Sequence, residues 1–261
     1  MTTSGGRTVR ARRAIVADVS APRLFCDMLP ADCVPAGMRR ELQHYEWDPP
    51  VVKVNYALNG PIPWRAETLR KVGTVHLGAD ADGLVRWMAD LNTRVVPHNP
   101  FMLLGQTTTA DPSRSPAGTE SVWAYTHLPR YVADDASAEQ LAKSVDQVIE
   151  DHAPGFGAAV ADRFVQRPSD LEASDANLHL GALNGGTAQL QQMLVFRPAP
   201  GLGRAETPVE GLYLGSASAS PGGSVHGACG RNAANAALAA AGVGGWPRRK
   251  LSRAVISLLT R

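Results

Sequence analysis

The most constraining feature of the chain is a run of small residues near its C-terminal end. A short apolar stretch beginning at Gly211 (G-L-Y-L) leads to a turn that contains Pro221, Gly222 and Gly223, and the turn leads to an alanine-rich helix that we expect to end near Ala241. Glycines let a backbone approach a ligand closely, and the free N–H groups and positive dipole end of a helix face such a ligand. The segment therefore predicts a cradle for an anion or a polar ring.

A tight strand-to-helix connection, whose glycines serve packing alone, would show the same turn. The density of small residues favours a ligand, because most positions between Gly211 and Ala241 are Gly, Ala, Ser or Asn. A helix with so little side chain can lie against another backbone or a flat ligand. Glycine turns are common, so the residues alone leave both interpretations open.

The segment resembles the C-terminal flavin motif of FAD-dependent oxidoreductases related to phytoene desaturase and, more distantly, to flavin amine oxidases. That motif is a strand reading G-L-Y-L-x-G, followed by P-G-G-x-V-x-G-x-x-G-x-N-A-A, which here begins at Pro221. Other segments resemble the family in the expected order: residues 13–22, residues 168–172 (P-S-D-L-E) with the pair Gly185-Gly186, and residues 192–201 with Thr207-Pro208. The resemblance thus covers most of the chain.

One family element is absent from this sequence. Family members begin with a strand and a G-x-G-x-x-G turn that receives the FAD pyrophosphate. Here Gly201-Leu202-Gly203 is followed by Arg204 and lacks the third glycine. The resemblance is therefore to the C-terminal half of a larger flavoprotein, which implies a split gene, a truncated reading frame or a misassigned start.

The resemblance implies a mixed α/β (α+β) fold: the C-terminal part of a Rossmann-type FAD-binding oxidoreductase, without the N-terminal G-x-G-x-x-G unit and with a sheet-based substrate domain. We expect a residual FAD-domain strand with connecting helices in residues 1–50 and a substrate-binding domain in residues 51–197. A C-terminal FAD-binding segment would follow in residues 198–243, and a basic amphipathic tail in residues 244–261.

The implied function is that of an FAD-dependent oxidoreductase of the desaturase or dehydrogenase type, or the C-terminal half of one. Such a protein transfers a hydride from a lipophilic substrate to flavin N5. In the resembling family the reaction is desaturation or oxidation of that substrate, or oxidation at a C–N bond, and the sequence leaves both open. The residues that the resemblance assigns to the flavin are Gly215, Pro221, Gly222, Gly223, Ser224, Val225 and Gly227. Ser224 stands where relatives often have glycine or alanine.

Apolar residues of the middle region are candidates for the lining of a substrate tunnel, although each is also a typical core residue. They are Trp64, Trp87, Met88, Phe101, Met102, Trp123 and Met193.

The weak catalytic candidate is His226. In the resembling fold it would lie close to the flavin, where it could relay a proton or tune the ring. A helix-start histidine that points into solvent would look the same in sequence. Two other functions also remain open, a non-catalytic lipid-binding or interaction module that has lost the flavin and a truncated remnant.

Composition excludes several other classes. The net charge of +2 argues against a nucleic-acid partner, and the seven histidines show no metal-type spacing, so no metal site is expected. Three cysteines predict no disulfide framework and a reducing compartment. With neither a signal peptide nor a membrane-spanning run, the expected location is cytoplasmic.

The expected partners are a hydrophobic small molecule and an N-terminal flavin-domain polypeptide. The tail suggests a third contact: Leu251, Val255, Leu258 and Leu259 follow helical spacing among basic residues, as in helices that lie peripherally on anionic membranes. The alternative is that its apolar residues dock on the protein's own core.

Three elements are predicted most clearly. Alternating apolar residues predict a strand over residues 51–58. A helix is expected over residues 80–94, with Asp80 as its cap and Leu84, Met88 and Leu91 on one side. A second helix is expected over residues 137–152, opened by a Ser137–Gln140 capping box.

Overall fold

The chain has a mixed α/β fold, as predicted, in a computed structural model that describes residues 2–3, 5–242 and 245–259. It divides into two compact units, one formed by residues 1–48 and 183–261 and the other by residues 49–182. One unit contains a parallel strand pair and the other an antiparallel sheet.

The elements are labelled in chain order. The strands are β1 (Ile15–Ala17), β2 (Val51–Leu58), β3 (Thr74–Leu77), β4 (Met102–Gln106), β5 (Glu120–His127), β6 (Val160–Gln166) and β7 (Leu212–Leu214). The α-helices are α1 (Ala36–Gln43), α2 (Ala81–Thr93), α3 (Thr107–Ala110), α4 (Asp135–His152), α5 (Phe156–Ala159), α6 (Pro168–Ser174), α7 (Ala228–Ala241) and α8 (Gly245–Leu259). A six-residue π-helix also covers Arg23–Met28.

The unit of residues 49–182 is built on a five-stranded antiparallel sheet with the order β3-β4-β5-β2-β6. The predicted strand over residues 51–58 is confirmed, and its alternate residues are buried because they face a core shared with α4. The apolar residues of α4 in that core are Leu141, Val145, Val148 and Ile149. One face of the sheet is therefore covered by its own unit.

The predicted start of α4 was wrong by two residues. Asp134 is the N-cap, and its carboxylate accepts the backbone N–H of Ser137 at 2.8 Å. Ser137 therefore lies inside the first turn, and no capping box forms between it and Gln140. An aspartate and a serine are both good caps, so the sequence placed the cap at the wrong one.

Helix α2 has the predicted cap, because Asp80 accepts the N–H of Gly83 at 2.7 Å. Of the three apolar residues predicted to share one side of the helix, Leu91 is buried, whereas Leu84 and Met88 are 40% and 46% exposed. Trp87 is the other buried residue of the helix, and its ring meets that of Phe101 with centroids 5.6 Å apart. The large indole therefore sets which side of α2 faces inward.

The unit of residues 1–48 and 183–261 holds the parallel pair of β1 and β7, with Ile15 opposite Leu212. Helix α7 lies close to β7, and its small residues Ala233 and Ala236 are buried. A larger cluster contains Phe25, Met38 and, from α8, Ile256, which is 1% exposed. The glycine turn belongs to this unit.

The boundary predicted at residue 197 differs from the observed division at residues 182 and 183. Residues 183–197 belong with residues 1–48 because their backbone bonds to that segment. The N–H of Thr187 donates to the carbonyl of Glu46 at 2.9 Å, and the N–H of Leu183 donates to the carboxylate of Asp48 at 3.0 Å. Turn signals in the sequence do not reveal such long-range bonds.

Candidate functional site

The glycine turn is separate from the helix that follows it. Strand β7 ends at Leu214, and α7 begins only at Ala228, with Gly227 as its N-cap at φ 62°. The expectation that Gly222 and Gly223 build the helix N-terminus was therefore wrong. The chain first passes through residues 224–227, which are exposed, with Val225 fully so.

Gly222 and Gly223 allow the turn to pack against other parts of the same unit. A Cβ on Gly222, whose φ is 116°, would lie 3.2–3.5 Å from Nε, Cζ and Cδ of Arg197, which places it over the flat face of the guanidinium. A Cβ on Gly223 would come within 2.8 Å of the carbonyl oxygen of Asn184. Packing alone is thus enough to require both glycines, whether or not a ligand approaches them.

Arg197 is the main charged group beneath this turn. It is 1% exposed. Its guanidinium donates to four backbone carbonyls: Asn184 at 2.8 Å, Thr187 at 2.8 Å, Ala217 at 2.7 and 3.1 Å, and Gly186 at 3.4 Å. Within the part of the chain that the structure describes, no carboxylate forms an ion pair with it. Its positive charge is therefore solvated by carbonyl dipoles and not neutralised.

Several backbone N–H groups in the adjoining loops have no acceptor. Gly185, Gly186 and Gly222 are buried, yet among the described residues their N–H groups make no hydrogen bond. Buried backbone donors are paired in the great majority of cases, with protein, water or a ligand. These groups are the strongest indication in the structure of a place for an external acceptor.

The neighbouring polar groups hold the loop of residues 183–187 in position. The carboxylate of Asp48 accepts the N–H groups of Leu183 and Asn184 at 3.0 and 3.1 Å. The hydroxyl of Tyr45 donates to the carbonyl of Gly185. Burial raises the pKa of the Tyr45 phenol, while its bond to Ser218 and the nearby charge of Arg197 act in the opposite direction. Tyr45 therefore stays neutral and serves as a donor at ordinary pH.

His226 immediately precedes Gly227, the N-cap of helix α7, and bonds to the first residue of the helix. Its ring nitrogen Nδ1 accepts the N–H of Ala228 at 2.9 Å, and the side chain is exposed. A ring nitrogen that accepts this bond carries no proton itself. This geometry gives His226 a structural role at the helix start, and its catalytic role stays a prediction.

The other residues assigned to the flavin differ in exposure. Gly215 packs inside the unit, where a Cβ would meet Val16 at 3.0 Å and Ala233 at 3.3 Å. Pro221 and Ser224 are exposed. The structure therefore brings Gly222 and Gly223 onto Arg197 and Asn184, two residues that the sequence did not single out.

The second unit offers a different surface. On the sheet face opposite its core, the rings of Trp123 and Tyr125 stack with centroids 5.9 Å apart, and Tyr125 meets His127 edge-on at 6.0 Å. These three side chains are half-buried. Gly105 lies opposite Trp123 on the neighbouring strand, and the indole occupies the space where a side chain would otherwise stand.

The residues proposed for a substrate tunnel do not form one group. Trp64 and Met102 are buried in the core on the other face of the sheet, and Met88 is exposed on α2. Trp87 packs against Phe101, and Met193 lies in the unit of the glycine turn. Trp123 lies on the sheet face opposite the core, which Trp87 of α2 borders through its ring contact with His127 at 6.1 Å, and is the predicted residue that best fits an apolar ligand surface.

A further charged cluster of the second unit has structural partners. The hydroxyl of Tyr56 donates to Asp146 at 2.7 Å, and the same carboxylate pairs with Arg163 at 2.9 Å. Burial and the Asp146 charge raise the pKa of Tyr56 well above its usual value. This cluster ties β2 and β6 to α4.

The described residues contain neither a metal-binding cluster nor a membrane-spanning helix. No group of three or more His, Cys, Asp or Glu side chains there is arranged to hold a metal ion. None of the described helices combines the length and the apolar character that crossing a bilayer requires.

Comparison with known proteins places the chain near oxidoreductases. It is 30% identical over 248 residues to pyridine nucleotide-disulfide oxidoreductase domain-containing protein 2 of Rattus norvegicus, covering 88% of this chain and 42% of that protein. The protein of the same name from Mus musculus is 29% identical over 252 residues, covering 90% of this chain and 43% of that protein. The chain therefore spans about two fifths of the length of these relatives.

No family model matches the chain. A crystal structure of an oxidoreductase from Methanosarcina mazei aligns with 85% of this chain and 45% of its own, at 12% identity and a TM-score of 0.39, which is too low to support an argument. The two homologues are oxidoreductase-domain proteins. The predicted likeness to oxidoreductases is confirmed at this level, and the phytoene desaturase-like type stays a prediction.

Proposed function

We propose that the chain acts in an FAD-dependent oxidoreductase of the desaturase or dehydrogenase type, and forms the part that holds the flavin's polar edge and the substrate. The homologues' names support oxidoreductase chemistry. The flavin and the lipophilic substrate are our own assignments, based on the glycine-turn motif and on the two surfaces described above.

The observation that carries the proposal is the set of unpartnered buried N–H groups at Gly185, Gly186 and Gly222. A flavin carries acceptors that suit such donors, the oxygens of its pyrophosphate and of its pyrimidine ring. The positive charge of Arg197, which no carboxylate of the described residues pairs with, also favours an acceptor with negative charge. The residues present thus fit the cofactor.

When bound, FAD supplies hydride acceptance at N5. The chain's own contribution is to bind and orient. The N–H groups of the two glycine loops would donate to the cofactor's oxygens, and Arg197 would favour the build-up of negative charge near them. His226 would keep the start of α7 ordered through its bond to Ala228.

The stacked rings of Trp123 and Tyr125 support a lipophilic substrate. Half-buried aromatic side chains on this sheet face offer a flat apolar surface, which suits a long hydrocarbon or a conjugated chain. The neighbouring β4 residue is Gly105, so the indole lies flat against the strand.

Flavin binding tests this proposal. The chain would be titrated with FAD, and both flavin fluorescence quenching and flavin retained after gel filtration would be measured. We expect weak binding by the chain alone and retention of flavin on co-expression with a polypeptide that carries the G-x-G-x-x-G fingerprint, because that turn binds the pyrophosphate. Absence of flavin from both preparations would contradict the proposal and favour a lipid-binding module without flavin.

A further inference from the structure

The burial of the Arg197 guanidinium is not explained by its contribution to stability. A buried cation without a carboxylate partner costs several kcal/mol unless other groups compensate for its lost hydration. Here its donors are satisfied by carbonyl oxygens and by a weak contact to the sulfur of Met193 at 3.7 Å. A buried apolar side chain would avoid this cost, so the charge itself calls for an explanation.

The guanidinium determines which way two loops turn their peptide groups. In a trans peptide the C=O and the next N–H point in opposite directions. Because the carbonyl of Asn184 points at Arg197, the N–H of Gly185 points away from it. The same holds for the peptide between Thr187 and Ala188. Arg197 therefore directs the N–H of Gly185 through the Asn184 carbonyl. The peptide before Gly186 is held instead by Tyr45 and Ser218, which both donate to the carbonyl of Gly185.

The two loops are in direct contact, so this arrangement acts on both. Gly222 rests on the face of the guanidinium, and Gly223 packs against the backbone of Asn184. The carbonyl of Ala217, just before the turn, accepts two further bonds from Arg197. The carboxylate of Asp48 binds the N–H of Asn184 and makes no contact with the guanidinium.

We infer that Arg197 is the positioning residue of an oxyanion cradle. It directs the N–H of Gly185 and holds the loops of residues 184–187 and 217–222 together, so that this N–H and the unpartnered N–H groups of Gly186 and Gly222 bind an anionic oxygen. This inference rests on the proposed function for its cofactor. The shared ligand chemistry is an oxygen acceptor with negative charge, and it could be supplied by a diphosphate or by the pyrimidine edge of a flavin.

The test compares Arg197→Met and Arg197→Lys with the unchanged chain. Arg204→Met is the matched control, because Arg204 is an exposed arginine of the same unit. Each protein is titrated with FAD, with riboflavin and with inorganic pyrophosphate, and its far-UV circular dichroism and thermal midpoint are recorded without ligand.

We expect Arg197→Met to weaken FAD binding at least tenfold while its circular dichroism stays unchanged. The FAD affinity of Arg197→Lys should lie between that of Arg197→Met and that of the unchanged chain. Arg204→Met should bind FAD as the unchanged chain does. If Arg197→Met loses pyrophosphate binding while its riboflavin binding is unaffected, the cradle binds the diphosphate. A matching loss of riboflavin binding assigns the cradle to the ring edge. If Arg197→Met does not fold, intermediate binding by a folded Arg197→Lys supports the same conclusion.

A folded Arg197→Met that binds FAD and pyrophosphate within twofold of the unchanged chain would overturn the inference. The inference would also be overturned if both Arg197 variants had a lower thermal midpoint and lost affinity equally for FAD, riboflavin and pyrophosphate. A residue with a merely structural role would behave in that way. Pyrophosphate binding that depends on Arg197, without any flavin binding, would sustain the cradle and reject the proposed function. Absence of binding for every ligand, both by the chain alone and by the preparation co-expressed with the G-x-G-x-x-G polypeptide, would reject both.

Discussion

Replacing Gly105 with alanine tests the packing of the aromatic sheet face. A Cβ at this position would lie 2.5 Å from the indole Nε1 of Trp123 and closer still to two ring carbons, so the ring has to move. Overpacking of this kind costs about 1–3 kcal/mol, and loss of an aromatic pair such as Trp123–Tyr125 adds about 0.5–1.5 kcal/mol. Removing a strand glycine returns about 0.5–1 kcal/mol.

We therefore expect Gly105→Ala to lower the free energy of unfolding by about 2 kcal/mol. Urea unfolding followed by circular dichroism gives the value, and tryptophan fluorescence reports the displaced ring. Gly60→Ala is the control in the same unit, because no heavy atom lies within 4 Å of its Cβ, and it should change stability by less than about 0.5 kcal/mol.

A double-mutant cycle with Trp123→Ala isolates the cause. Once the indole is gone, Gly105→Ala should cost almost nothing, because the three atoms nearest to its Cβ all belong to Trp123. An unchanged stability in Gly105→Ala alone, or a full cost in the Trp123→Ala background, would refute the described packing.

Three further predictions concern single contacts. His226→Ala should lower the free energy of unfolding by about 1 kcal/mol in urea unfolding, and His226→Asn should keep most of it, because the cap on Ala228 needs only an acceptor; equal stability of all three forms would contradict this. The Glu150 carboxylate accepts the N–H groups of Gly155 and Gly157, which lower its pKa, so its stabilising effect is present above about pH 4.5 and is lost as the pH falls through the folded-state pKa. The urea midpoints of Glu150→Gln and the unchanged chain should then converge between pH 7 and pH 3, and a constant gap would argue against these bonds. Leu251 and Leu258 are 68% and 70% exposed on α8, so changing both to serine should reduce sedimentation with anionic vesicles; equal partitioning of both forms would remove the membrane role.

The sequence predicted the regular elements better than the site. Strand β2 and helix α4 follow strong periodic patterns, because each buries one face against a core. The small residues after Gly211 correctly marked a close approach of backbones. The sequence analysis did not identify Arg197 as the residue on which Gly222 packs, because the sequence around Arg197 does not distinguish a buried arginine from an exposed one. The resemblance covered both Arg197 and the pair Gly185-Gly186 and gave neither a role.

The tail shows the same limit. The helix was predicted, but of its apolar residues it is Ile256 that enters the core, at 1% exposure, whereas Leu251 and Leu258 do not. Helical spacing identifies an apolar stripe along a helix, but it does not show which residues of that stripe pack against the rest of the protein. The basic residues Arg248, Arg249, Arg253 and Arg261, on which the membrane contact also depends, have side chains outside the described ones.

The central claim, that the buried glycine amides receive the cofactor, is tested most directly by nuclear magnetic resonance of the chain labelled with [15N]glycine. Addition of FAD should shift the amide signals of Gly185, Gly186 and Gly222, because their unpartnered N–H groups gain an acceptor. The signals of Gly60 and Gly118, in the other unit with open space around them, should not move. FAD that binds without shifting the three buried glycines would contradict the account.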